Sequence, residues 1–187
     1  NVGVTFLITF IFFLAFACAI IYGFQPFTLN TLHITESQNA MLFTLFGASG
    51  LFAQTFLVGP ISKKLGMKKS FTNAILFTAI SFMVMAISHS VWMFVAAMIV
   101  LALVNSVVQT LIPTILSQEA DAKSQGSIMG LNSSYQSIGM IIGPLLGGAI
   151  ATVSIPLTFL AGGLLVLVCY GLSFKVLKPG AKKESAF

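Results

Sequence analysis

The sequence predicts an all-α integral membrane protein, a bundle of six transmembrane helices. The chain of 187 residues is 57% hydrophobic and only 7% charged, whereas about a quarter of the residues in a soluble domain are charged. Four stretches contain no Asp, Glu, Lys or Arg, namely residues 1–35, 37–62, 70–118 and 124–174. A membrane-spanning helix needs ~20 mostly apolar residues. The first two stretches therefore suit one helix each, and the last two suit a pair each.

In chain order, the predicted helices cover residues 4–30, 39–61, 70–88, 91–116, 127–152 and 156–177. They form a transmembrane bundle of residues 1–178, and residues 179–187 form a basic tail. All nine lysines lie in the second and fourth connections and at the C-terminal end. Because lysine-rich loops stay in the cytoplasm, we expect a multi-pass protein of the cell membrane with both termini cytoplasmic.

Polar side chains follow one face of four of these helices. Uncharged amides in hydrocarbon are costly unless they find a partner or water. We therefore predict that the four helices surround a polar substrate cavity, while the third and sixth helices are peripheral. The alternative is that each amide only ties two helices together. The predicted cavity residues are Tyr22, Gln25, Gln54, Asn105, Gln109, Asn132 and Gln136.

The predicted fifth helix also carries a row of glycines, at Gly139, Gly143 and Gly147, on the same face as its amides. Small residues let helices approach closely in a bilayer. Pro144 removes a backbone hydrogen bond and favours a kink. Two interpretations follow, close packing alone or a helix that bends beside a cavity.

Several classes of function are not supported by the sequence. No predicted span contains Asp, Glu, Arg or His, and Lys175 lies only at the C-terminal end of the sixth, so a proton relay inside this bundle is not expected. His33 and His89 fall in loops, and Cys18 and Cys169 are interpreted as small packing residues. We predict no enzyme activity, no metal, no cofactor and no nucleic-acid partner, since no metal-ligand spacing, nucleophile motif or phosphate loop is present.

Two segments resemble a known family. The spacing of Gly130, Gly139, Gly143-Pro144 and Gly147-Gly148 resembles the glycine-proline pattern of drug:proton antiporters of the major facilitator superfamily. The segment from Gly59 to Lys68 is similar to the conserved cytoplasmic loop of that superfamily. Its matching positions are Gly59, Lys64, Gly66 and Lys68, and Lys63 stands where the family has an acidic residue.

The resemblance implies one half of a two-half transporter, embedded in the lipid bilayer. The predicted fourth helix lacks the arginine motif of N-terminal halves, so we expect helices seven to twelve, the C-terminal half. The chain also begins almost directly in a span, as expected for a piece of something longer. The missing partner is then an N-terminal six-helix half.

By the same resemblance, the transporter exports small lipophilic drugs by alternating access coupled to a proton gradient. A cytoplasmic latch between Lys64 and Glu119, or Asp121, is also implied. The alternatives are a non-transporting six-helix scaffold or regulatory module, a family transporter of sugars or metabolites, and a homodimeric transporter.

Overall fold

The computed structural model describes residues 2–121 and 123–177, and across these residues it is all-α, as predicted. Six helices follow one another. They are α1 (Val2–Asn30), α2 (Glu36–Leu65), α3 (Met67–Ala86), α4 (Val91–Glu119), α5 (Gln125–Ala151) and α6 (Pro156–Leu177). Their bounds lie close to the predicted ones. The predicted basic tail, 179–187, lies outside the described residues.

Five of these helices, within the part of the chain described, are long and apolar enough to cross a membrane. The exception is α5, which has sufficient length at 27 residues but too many polar residues and glycines. These include Gln125, Asn132, Ser133, Ser134 and Gln136. The polar stripe that makes α5 interesting for function therefore also weakens its hydropathy signal.

Two helices contain a turn of π-helix, at Ala17–Gly23 in α1 and at Ala53–Leu57 in α2. Each π segment ends three residues before a proline, Pro26 and Pro60 respectively. Proline has no N–H for the carbonyl one turn earlier, and wider turns in a helix commonly occur where its regular bonding is interrupted. By contrast, Pro113 and Pro144 lie within α4 and α5 without a π segment.

The first connection is fixed by side chains at both of its ends. Thr35 caps α2 by accepting a hydrogen bond from the Gln38 backbone N–H, and the Gln38 side chain accepts from the Thr35 N–H in return. The buried Thr28 hydroxyl donates to the Asn39 side-chain oxygen at 2.9 Å. Together these bonds hold the start of α2 against the end of α1.

The core is best seen at the lysine-free end, where four fully buried phenylalanine rings meet. Phe27 lies 5.3 Å from Phe94 and 5.1 Å from Phe159, and Phe24 lies 5.4 Å from Phe94, ring centroid to centroid. This cluster joins α1, α4 and α6. The least covered helices are α2 and α5, whereas α3 and α6 pack against each other.

Candidate functional site

A polar depression of about 480 Å³ lies between α2 and α4. Gln54 reaches it from the π segment of α2, and Gln109 reaches it from α4. The rest of its lining comes from α4, namely Ser106, Thr110, Pro113 and Thr114. The Ser106 hydroxyl also donates to the Gly50 carbonyl at 3.0 Å, which fixes the two helices beside each other.

The lining is rich in hydrogen-bond acceptors. The hydroxyls of Thr110 and Thr114 donate to the carbonyls one turn earlier on α4, both at 2.8 Å, and the single Ser106 proton is shared between the Ala102 and Gly50 carbonyls, each at 3.0 Å. Their oxygens keep acceptor lone pairs. Pro113 has no N–H, so the Gln109 carbonyl lacks its usual helical donor. The Gln54 and Gln109 amides add N–H donors as well as acceptors. The depression therefore suits an uncharged or cationic molecule that brings mainly hydrogen-bond donors and apolar surface.

Sequence reasoning identified the two glutamines but missed the three hydroxyls. Ser106, Thr110 and Thr114 recur at every fourth position, which places them on one face of α4. The signal was therefore present in the sequence. It is a weaker signal than an amide, because a Ser or Thr in a membrane helix usually satisfies itself on its own backbone.

The other predicted cavity residues lie outside this depression. Asn132 is buried, and its side-chain oxygen accepts a hydrogen bond from the Thr9 hydroxyl at 3.1 Å. Asn105 is buried too, and its side-chain oxygen has no hydrogen-bond partner among the described residues. Both asparagines therefore lie between helices and not in this depression, Asn132 where α5 packs against α1 and Asn105 at a buried position of α4.

Three further residues of that predicted set lie at the surface or close to it. Tyr22 and Gln25 are exposed toward the lysine-free end of α1, and Gln136 is half-buried on α5. Of the seven predicted cavity residues, the structure brings only Gln54 and Gln109 together in one depression.

The glycine row of α5 lies directly against α1. A Cβ at Gly139 would stand 2.7 Å from the Phe10 carbonyl oxygen, and one at Gly143 would stand 2.7 Å from the Leu14 carbonyl oxygen. At Gly147 it would stand 2.9 Å from the Cys18 carbonyl oxygen. These neighbours are backbone atoms, so they cannot rotate away. The contact includes the π segment of α1.

The remaining residues of the glycine-proline pattern behave differently. The ring of Tyr22 would be in ordinary contact with a Cβ at Gly148, at 3.6 Å. Pro144 is half-buried. A Cβ at Gly130 would have no atom within 4 Å. The predicted packing role is therefore not supported at Gly130, which lies near the lysine end of α5, beyond its contact with α1.

At the lysine end, Glu119 of α4 pairs with Lys68 of α3 at 3.3 Å. The expected partner was Lys64, and the structure corrects this. Lys63 and Lys64 are exposed on the last turn of α2, whereas Lys68 follows the turn at Gly66 and lies on the helix that packs against α4. Gly66 has φ = 82°, a conformation that favours glycine. Gly59 is exposed.

A charge swap tests this pair. Lys68→Glu and Glu119→Lys should each lower the melting temperature by roughly 2–4 °C, since a partly buried ion pair contributes ~1 kcal/mol. The double variant should recover part of the loss in the same thermal unfolding assay. Lys64→Glu is the matched control. If Lys64→Glu combined with Glu119→Lys restores the melting temperature as much as the Lys68 swap does, the pairing of Glu119 with Lys68 is contradicted.

Comparison with known proteins agrees with this arrangement of helices. The family model of the Major Facilitator Superfamily matches residues 5–187. The chain belongs to the major facilitator superfamily. The resemblance drawn from the glycine-proline pattern and the loop is thereby confirmed.

Among curated relatives of this superfamily member are drug-resistance proteins. It is 30% identical over 129 residues to the class C tetracycline resistance protein of Escherichia coli, which covers 67% of this chain and 32% of the relative. It is 26% identical over 152 residues to multidrug resistance protein 2 of Bacillus subtilis, covering 80% and 37%. The matched part of the chain therefore spans about a third of the length of these relatives.

A solved structure shows the same fold. The crystal structure of a human organic anion transporter superposes with a TM-score of 0.83 at 16% sequence identity. The match covers 92% of this chain and 40% of the transporter. The six-helix bundle is therefore the fold of one half of a major facilitator transporter.

Proposed function

We propose that this chain forms half of a secondary active transporter that exports lipophilic drugs or other small molecules. The observation that carries the proposal is the acceptor-rich depression at Gln54 and Gln109, set in a bundle with two poorly covered helices. The names of the tetracycline and multidrug resistance relatives support export. Family membership favours a transporter over a scaffold or regulatory module.

The proposed partner is an N-terminal six-helix half of the same transporter. Large apolar side chains are exposed along α2 and α5, with Leu51, Ile141 and Leu145 each about two-thirds exposed or more. A second bundle facing these helices would cover them and close a central cavity over the depression. Alternating access is then a rocking of the two bundles about the substrate.

Proton coupling is also part of the proposal. The apolar stretches of this chain contain no carboxylate, so the group that carries the proton is expected in the partner half. This chain then supplies substrate contacts and close helix packing.

Export is tested with the full-length protein in cells that lack their own drug pumps. Cells that express it should extrude a fluorescent lipophilic cation such as ethidium. A protonophore should stop the efflux, because it removes the proton gradient. Efflux equal to that of cells with an empty vector would reject the transporter, and efflux unchanged by the protonophore would reject proton coupling.

The proposed location is the plasma membrane, with the lysine end in the cytoplasm. Single cysteines at two exposed positions test this, Asp121→Cys at the lysine end and His89→Cys at the other end. Cys18 and Cys169 are first replaced by alanine. An impermeant maleimide should label intact cells at position 89 and should label position 121 only after permeabilisation. The reverse labelling pattern would mean that the lysine end faces the outside of the cell.

A further inference from the structure

A second depression lies at the lysine end, between α2, α3 and α4, with a volume of about 260 Å³. Its lining is almost entirely apolar, apart from one amide and one hydroxyl. The residues that matter here are Ile61, Leu65, Asn73, Phe77, Val104 and Val107. We propose that this groove binds an anionic phospholipid, with its acyl chain against α3 and its headgroup at the lysines. The inference concerns the membrane and does not depend on transport.

The polarity along α3 changes in the same order as in a phospholipid. Lys69, Asn73 and Phe77 are spaced four residues apart, so they lie on one face of the helix. All three are exposed, Phe77 by half. At 1.5 Å per residue they lie about 6 Å apart along the helix axis. From the lysine end inward, the cation therefore lies at the depth of a lipid phosphate, the amide at the depth of a glycerol ester and the apolar ring at the depth of an acyl chain.

The charge around the groove argues for an anionic headgroup rather than a neutral one. Lys63 and Lys64 are exposed on the last turn of α2, the turn that ends in the groove residue Leu65. Lys68 is neutralised by Glu119. By contrast, Lys63, Lys64 and Lys69 form no ion pair within the described part of the chain, so their charge is available. Basic pockets between helices on the lysine-rich side of membrane proteins bind anionic headgroups in this way.

Tryptophan fluorescence tests the groove directly. The full-length protein carries Phe77→Trp in a background whose other tryptophans, Trp92 included, are replaced by phenylalanine. It is reconstituted in vesicles that contain brominated phosphatidylglycerol or brominated phosphatidylcholine, and bromine quenches a tryptophan that it contacts. Both leaflets have the same composition, so the result is independent of orientation. We expect phosphatidylglycerol to be preferred at position 77 by roughly fivefold for each lysine that it engages.

Two comparisons make the result specific. Leu164→Trp, on a half-exposed position of α6, should show no lipid preference. The preference at position 77 should fall to near one when Lys64→Gln and Lys69→Gln are added. It should persist with Lys123→Gln and Lys175→Gln, which remove exposed lysines elsewhere. Equal quenching by both lipids at position 77, or equal loss with either pair of lysine variants, would overturn the proposal. Protection from both lipids would also overturn it, because protein would then cover the groove.

Discussion

Gly143→Leu is expected to disrupt the packing of α1 against α5. A Cβ at this position would stand 2.7 Å from the Leu14 carbonyl oxygen and 3.0 Å from the Cys18 backbone nitrogen. Overpacking typically costs about 1–3 kcal/mol, and the upper end applies because backbone atoms can only separate. We expect a loss of about 3 kcal/mol, which lowers the melting temperature of the full-length protein in detergent by several degrees. Efflux should be abolished.

The matched control is Gly130→Leu on the same helix. A Cβ there would have no atom within 4 Å, and leucine forms helices better than glycine, so the free energy of unfolding should not fall. Equal melting temperatures for the two leucine variants would mean that the glycine row has no packing role. If the Gly143→Leu protein is as stable as the unmodified protein but has no efflux, the contact between α1 and α5 is needed for the transport movement and not for folding.

Gln109→Leu is expected to reduce efflux about tenfold. Leucine has an apolar side chain of similar size, so this change removes the amide from the depression without leaving a large gap. A substrate group left without its hydrogen-bond partner loses roughly 1.4 kcal/mol, which corresponds to a factor of ten. Gln54→Leu should have a similar effect, because both amides line the same depression. The measurement is the initial rate of ethidium efflux at matched expression.

Gln118→Leu is the control for the glutamine variants. Its amide lies at the lysine end of α4 beside the Met67 sulfur, at 3.9 Å, and does not line the depression. Efflux near the unmodified rate is expected for this variant. If Gln109→Leu also transports at that rate, the depression is not the substrate site, even if the protein is an exporter.

The glycine row shows how much of the site the sequence predicts. The spacing of Gly139, Gly143 and Gly147 indicated a face made for close approach. It could not indicate which helix approaches, because any smooth helix fits a row of glycines. The structure places α1 there, and the same structure leaves Gly130 in open space. A shared motif therefore contains both packed and unpacked glycines.

The polar residues show the same division. A lone amide in a membrane helix predicts only that it needs a partner or water. For Asn132 that partner is the Thr9 hydroxyl, 123 positions away in sequence. Glu119 pairs with Lys68 and not with the predicted Lys64 for a similar reason, since the turn at Gly66 decides which lysine faces α4.

By itself, the sequence determined the fold class, the approximate ends of the helices and the family. This is possible because hydrocarbon offers the backbone no hydrogen bonds, so an apolar stretch of sufficient length must satisfy itself as a helix. Tertiary structure alone decided that Gln54 and Gln109 share a depression while Asn105 and Asn132 are buried. The rotation of each helix about its axis is set by contacts between distant residues, and periodicity along one helix does not contain that information.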